Sequence, residues 1–175
     1  FYLFFFIFLL SSGNSRLYAE ENRAFNFSTL NLNNGLSQLS VLDICQDDKG
    51  YIWFATRNGL NKYDGTHFTI YKHSNRDNNS LSDNHITKLL PDNVRGGLWV
   101  GTNNGLNYLD PKTNLITNYQ LADYPELPSN SILSLCLDKS GKLWVGTRLG
   151  LCFWQPENKT FKLVTLDGQL DKESI

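Results

Sequence analysis

One stretch occurs three times in this chain and limits what it can fold into. It reads Gly50-Tyr51-Ile52-Trp53-Phe54-Ala55-Thr56-Arg57-Asn58-Gly59-Leu60 first. It returns as Gly97-Leu98-Trp99-Val100-Gly101-Thr102-Asn103-Asn104-Gly105-Leu106, and again as Gly141-Lys142-Leu143-Trp144-Val145-Gly146-Thr147-Arg148-Leu149-Gly150-Leu151. The tryptophans stand 46 and 45 residues apart, and Gly59, Gly105 and Gly150 keep the same steps. A fixed period of this size marks a repeat architecture in which each copy is one supersecondary unit.

Each copy holds three more short apolar runs. The first runs are Val41 to Cys45, Ile86 to Leu90 and Ile132 to Leu137. A turn follows, with Asp47-Asp48-Lys49-Gly50 in the first copy, Asp138-Lys139-Ser140-Gly141 in the third, and one extra residue in the second. After the Trp run, a third run covers Leu60 to Tyr63, Leu106 to Leu109 and Leu151 to Trp154. A fourth covers Phe68 to Tyr71, Leu115 to Tyr119 and Phe161 to Val164. No stretch after Glu20 has a helical apolar period, so the pattern predicts four short strands per copy in an antiparallel meander. A lone four-stranded sheet leaves a face uncovered. Radial stacking covers it, so the expected fold is all-β, a β-propeller of four-stranded blades. Ala55, Gly101 and Gly146 sit two residues after each tryptophan, where small side chains let neighbouring sheets approach. Trp53, Trp99 and Trp144 are large enough to pack between blades in equivalent buried positions.

The recurring Leu-Trp-Val-Gly-Thr-x-x-Gly-Leu-x-x-x-Asp pattern resembles the two-component regulator propeller repeat. The first copy, from Asn34-Gly35-Leu36-Ser37-Gln38 to Asp64-Gly65, resembles the opening blade of the periplasmic sensor region of hybrid two-component histidine kinases. The resemblance covers roughly residues 25 to 175. The departures are Ala55 where glycine is usual and Gln155 where aspartate is usual.

Residues 1–19 read as the end of a secretory signal peptide. Phe1 to Leu10 is apolar and too short to span a bilayer, and Leu17-Tyr18-Ala19 then precedes Glu20. The chain has no methionine, so its true start is expected to lie upstream. Residues 20–175 read as one domain. Phe25 to Phe27 is expected to form a strand ahead of blade repeats at about 36–80, 81–126 and 127–169. A fourth repeat begins at 170, because Leu170 to Ile175 copies the openings Leu36 to Val41, Leu81 to Ile86 and Leu127 to Ile132. About three blades are present. A ring generally needs four to eight, so an incomplete ring completed by further blades of the same chain is expected.

Net charge is −1, which offers no electrostatic basis for binding nucleic acid or an anionic membrane. Cys45, Cys136 and Cys152 match neither a disulfide framework nor zinc spacing and read as small buried hydrophobes. Asp47, Asp92 and Asp138 recur at one turn, so they read as turn residues. No catalytic residue, metal or cofactor is expected in this segment.

The candidate ligand-binding residues are those that differ between copies on one rim: Arg57, Asn84, His85, Asn103, Asn130 and Arg148. If the first strand of each blade is innermost, they surround the axis, where Arg, Asn and His suit sugar hydroxyls or acidic sugars. The resemblance implies the rest: a periplasmic ligand-sensing domain of an inner-membrane receptor, an oligosaccharide ligand, a homodimer, and transcriptional output. Two alternatives remain. One is an exported propeller enzyme, a polysaccharide lyase or glycosidase. The other is the propeller sensor of a diguanylate cyclase.

Overall fold

The computed structural model describes residues 27–165. Twelve strands form three antiparallel sheets, each a simple meander in which neighbours in sequence pair. Blade 1 comprises β1 (Val41–Gln46), β2 (Ile52–Thr56), β3 (Gly59–Tyr63) and β4 (Phe68–Tyr71). Blade 2 comprises β5 (Ile86–Asp92), β6 (Gly97–Thr102), β7 (Gly105–Asp110) and β8 (Leu115–Tyr119). Blade 3 comprises β9 (Ile132–Leu137), β10 (Leu143–Thr147), β11 (Gly150–Gln155) and β12 (Thr160–Leu163). The expected runs thus become strands within two residues of their predicted ends. A short 3-10 turn, Leu32–Asn34, precedes blade 1.

The copies are in register at the level of single pairs. Trp53 lies opposite Cys45, Trp99 opposite Leu90 and Trp144 opposite Cys136. The ladder between the first two strands slips at one equivalent place in each blade, at Leu42, Thr87 and Leu133. A bulge there bends the strand and sharpens its twist. β1 packs on β5 and β5 packs on β9, so the first strands are innermost and the blades fan outward. Thr87 donates its hydroxyl to the Ile132 carbonyl across blades 2 and 3 at 2.8 Å. Asp43 accepts the Leu89 backbone N–H across blades 1 and 2 at 3.0 Å.

Two apolar layers lie between the blades. Trp53, Ala55, Ile86, Leu98 and Val100 fill the first. Trp99, Ile132, Leu143, Val145 and Phe161 fill the second. A Cβ on Gly101 would lie 2.8 Å from Ile132 Cγ2 of the next blade, which is why a small residue is needed there. Leu36, Leu81 and Leu127 are all buried and seat the chain at the start of each blade.

Two expectations need correction. Trp53 and Trp99 are buried, but Trp144 is only half-buried. It sits on the face of blade 3 turned away from blade 2, against which no further blade packs among the described residues. Cys136, its register partner, is exposed for the same reason, whereas Cys152 is buried and Cys45 half-buried. Burial pushes the thiols of Cys45 and Cys152 up to about 12, so both stay protonated. The leader-like segment 1–19 and the fourth repeat at Leu170 lie outside the described residues. Of the strand expected at Phe25 to Phe27, only Phe27 is described, and it is exposed and outside any strand.

Candidate functional site

The turn between the second and third strands is built identically three times. Thr56, Thr102 and Thr147 donate their hydroxyls to the carbonyls of Gly59, Gly105 and Gly150 at 2.8, 2.8 and 2.9 Å. Those glycines have φ of 118°, 136° and 152°. A Cβ on Gly59 would lie 2.8 Å from the Tyr71 carbonyl oxygen, so both conformation and space demand glycine. This fixed turn holds Arg57, Asn103 and Arg148 at equivalent positions with exposed side chains.

The same turns dock on the segments that lead into the first strands. Gly59 donates its N–H to the Asn84 carbonyl, and Gly105 to the Asn130 carbonyl, each at 2.8 Å. Asn103 donates its N–H to His85 at 3.2 Å, and Arg148 to Ser131 at 3.0 Å. All six candidates therefore share one rim, close to the innermost strands.

Within that rim the six residues divide. The Asn84 side-chain oxygen accepts the His73 backbone N–H at 2.8 Å, and that of Asn130 accepts the Leu121 N–H at 2.6 Å. Asn130 also donates its amide to Asn104 Oδ1 at 3.2 Å. These two asparagines do one clamping task at equivalent positions, tying the end of one blade to the start of the next. His85 is half-buried and gives its backbone N–H to Asp83. The differences between blades that face solvent reside chiefly in Arg57, Asn103 and Arg148.

The opposite rim carries the aspartate turns, and there the sequence reading was incomplete. Asp47 accepts the backbone N–H groups of Lys49 and Tyr51, each at 3.0 Å, and also the Trp53 indole N–H at 2.8 Å. Asp138 repeats this with Ser140, Lys142 and the Trp144 indole. Asp92 accepts the Trp99 indole at 3.1 Å and the Arg95 guanidinium at 2.8 Å. Bonds from the Ser140 hydroxyl, the Trp144 indole and the Lys142 N–H hold the Asp138 carboxyl well below the ordinary carboxylate range. Burial pushes Asp92 up, but the Arg95 side chain and backbone and the Trp99 indole outweigh it and leave its carboxyl lowered. An aspartate six or seven residues before each tryptophan was the signal available in the sequence.

A second buried device was not read from the sequence. Asn61 and Asn107 are fully buried in the third strands, and each accepts a backbone N–H from the lead-in segment, of Ser37 and Ser82 respectively, at 2.8 Å. Among the described residues, no cluster of His, Cys, Asp and Glu could hold a metal ion.

The family model of the two component regulator propeller matches residues 35–58 and 126–148. These two segments are similar to the two-component regulator propeller repeat. They run from the lead-in leucines through the Trp strands of blades 1 and 3, and blade 2 has the same geometry between them. A 62-residue stretch, 35% of this chain, is 47% identical to histidine kinase P4 of Formosa agariphila, of which it covers 4%. The extracellular domain assigned to a hybrid two component system of B. thetaiotaomicron is similar over 81% of this chain and 26% of its own length, at 26% identity and a TM-score of 0.44. PorZ of Porphyromonas gingivalis, a surface component of the type-IX secretion system, is similar over 66% of this chain and 17% of its own, at 24% identity and a TM-score of 0.54. That last likeness is one of fold alone. The chain spans a small part of the length of each of these relatives.

Proposed function

We propose that the three blades belong to the exported, ligand-sensing propeller of a hybrid two-component histidine kinase. The observation that carries this reading is the propeller repeat itself, together with the 47% identity to a histidine kinase over 62 residues. The ligand is an oligosaccharide, and its recognition alters transcription through kinase and regulator parts of a longer protein. The segment works in the periplasm, in a receptor that acts as a homodimer, and carries out no chemistry of its own.

The geometry supports a recognition role for the rim of Arg57, Asn103 and Arg148. Rigid threonine–glycine turns hold exposed side chains near the innermost strands, and those side chains differ from blade to blade. An asymmetric ligand requires such differences, whereas a turn does not. Guanidinium groups there can take sugar hydroxyls or a sugar carboxylate in paired hydrogen bonds.

The test uses the full-length receptor in membranes, with autophosphorylation measured against a panel of oligosaccharides. At least one should change the rate saturably, and should bind the exported region with a matching midpoint. A receptor whose autophosphorylation ignores every saccharide while responding to another stimulus would overturn the ligand class.

A further inference from the structure

The two junctions between blades are built alike at their outer edge but are bonded differently, the second through Thr160, next to Lys159, which donates its hydroxyl to Glu126 at 3.1 Å. Between blades 1 and 2, Tyr71 donates its hydroxyl to Asn114 Oδ1 at 3.0 Å. Asn79 donates its amide to the Asn114 carbonyl at 3.2 Å, and its oxygen accepts the Ile116 N–H at 2.7 Å. These contacts close the seam. Between blades 2 and 3, Tyr119 occupies the place of Tyr71, since both stand opposite the leucine after the turn glycine. Lys159 occupies the place of Asn114, and the two share a left-handed φ, 51° and 59°. Lysine offers no acceptor, so the bond that Tyr71 makes in the first junction has no counterpart in the second. Trp154 stands where blade 2 has Leu109, opposite Phe161 as Leu109 is opposite Ile116.

The result is a groove of about 390 Å³ lined by Thr117, Tyr119, Tyr124, Trp154, Pro156 and Lys159. Its three aromatic rings form one cluster, with centroids 4.9 Å apart for Tyr119 and Trp154 and 5.3 Å for Tyr119 and Tyr124. Two phenols, a threonine hydroxyl and an ammonium group stand around this apolar floor, and no carboxylate lines it.

The geometry points to this groove as a binding site for a saccharide ring that carries a carboxylate or a sulfate. Tyr119 and Trp154 are core side chains, 9% and 8% exposed, so the half-buried Tyr124 supplies most of the apolar surface open to the C–H face of a pyranose, with few polar groups to orient it. The Lys159 ammonium, unopposed by any acidic lining residue, supplies the charge partner. Burial pushes the Tyr119 phenol up to about 12, so it remains a donor across the physiological range. The site lies at the outer seam, apart from the rim of Arg57 and Arg148. It rests on the sensor reading only in taking the ligand to be a sugar.

The test is calorimetric titration of the full-length protein with glucuronate, galactose 6-sulfate and glucose. Glucuronate, galactose 6-sulfate or both should bind, and glucose should bind about tenfold more weakly, the scale of one lost charge-assisted hydrogen bond. Lys159→Asn suits the left-handed backbone and gives Tyr119 the acceptor that Tyr71 has. It should keep or raise the melting temperature and weaken binding of the acidic sugar by about tenfold or more, whereas Lys159→Arg should retain it. Failure of both acidic sugars to bind, or unchanged binding in Lys159→Asn, overturns the site. Should oligosaccharide-driven autophosphorylation persist in that case, the groove is wrong and the sensor reading stands. Lys159-dependent binding without any saccharide effect on the kinase would leave the groove and remove the sensor reading.

Discussion

Trp99 donates its indole N–H to Asp92 Oδ2 at 3.1 Å, and this bond joins the turn of a blade to the layer between blades. The same pair recurs as Trp53 with Asp47 at 2.8 Å and Trp144 with Asp138 at 3.0 Å. One carboxylate thus orders a tight turn and fixes the orientation of the largest side chain on the blade. Asp92→Ala should leave both the buried indole and the Arg95 guanidinium without an acceptor, a loss of about 1–3 kcal/mol. Asp92→Asn, which retains one acceptor oxygen, should lose less. Urea unfolding of the full-length protein separates the two. Equal stability of both variants and the parent would show that the indole bond does not matter.

Asp64, Asp92, Asp110 and Asp138 set the response to acid. Asp138 and Asp92 are held below the ordinary carboxylate range, and the His67 backbone N–H and the Thr66 side chain lower Asp64 to about 2. The Lys112 N–H and the Thr113 hydroxyl lower Asp110 as well. A carboxyl lowered in the folded state binds protons more tightly once unfolded. Its stabilisation is therefore complete above about pH 4, the unfolded value, and is lost as pH falls through the folded value. The melting temperature should be flat near neutrality and drop below about pH 4. Asp138→Asn should make that drop shallower. An unchanged acid slope in the variant would count against the assignment.

The fold was legible because its signals are local and repeated. The Trp period set the unit, and the Asp-Gly and Thr-x-x-Gly turns set the strand ends. What stayed hidden depends on contacts far apart in the chain. Asn84 and Asn130 read as variable rim groups, yet both clamp backbone N–H groups of the preceding blade. Asn61 and Asn107 gave no sign of being buried, because their partners lie 24 and 25 residues earlier. The unequal burial of Trp53 and Trp144 follows from what packs on each face, which a repeat pattern leaves open.

The exception in blade 3 explains that buried asparagine. Pro128 stands where the other blades have Ser37 and Ser82, and it has no N–H to donate. Cys152 stands where they have Asn61 and Asn107, and its thiol meets the Val145 carbonyl at 3.7 Å as the Asn107 amide meets that of Val100 at 3.0 Å. The two changes belong together. Cys152→Asn alone should bury an amide oxygen without its donor, a loss of about 1–3 kcal/mol. Pro128→Ser with Cys152→Asn should recover most of it. A double-mutant cycle in urea would measure the coupling, and additive effects would show the two positions to be independent.

The rim offers the sharpest separation of structure from recognition. Arg57 and Arg148 are exposed, are held by turns that need only their backbones, and have no side-chain ion pair among the described residues. Asn84 and Asn130 lie beside them but use their side chains to tie blade to blade. On the proposed sensing role, Arg57→Ala and Arg148→Ala in the full-length protein should therefore lower ligand affinity and signalling while leaving the melting temperature within about 1–2 °C, as surface changes usually do. Asn84→Ala should act in the opposite order, because the His73 N–H loses its acceptor. Stability should fall by about 1 kcal/mol or more, and response should fall only as folded protein is lost. Affinity by calorimetry, output by autophosphorylation and melting by circular dichroism on the same preparations decide the matter. If both arginine variants bind and signal like the parent, the ligand does not meet this rim.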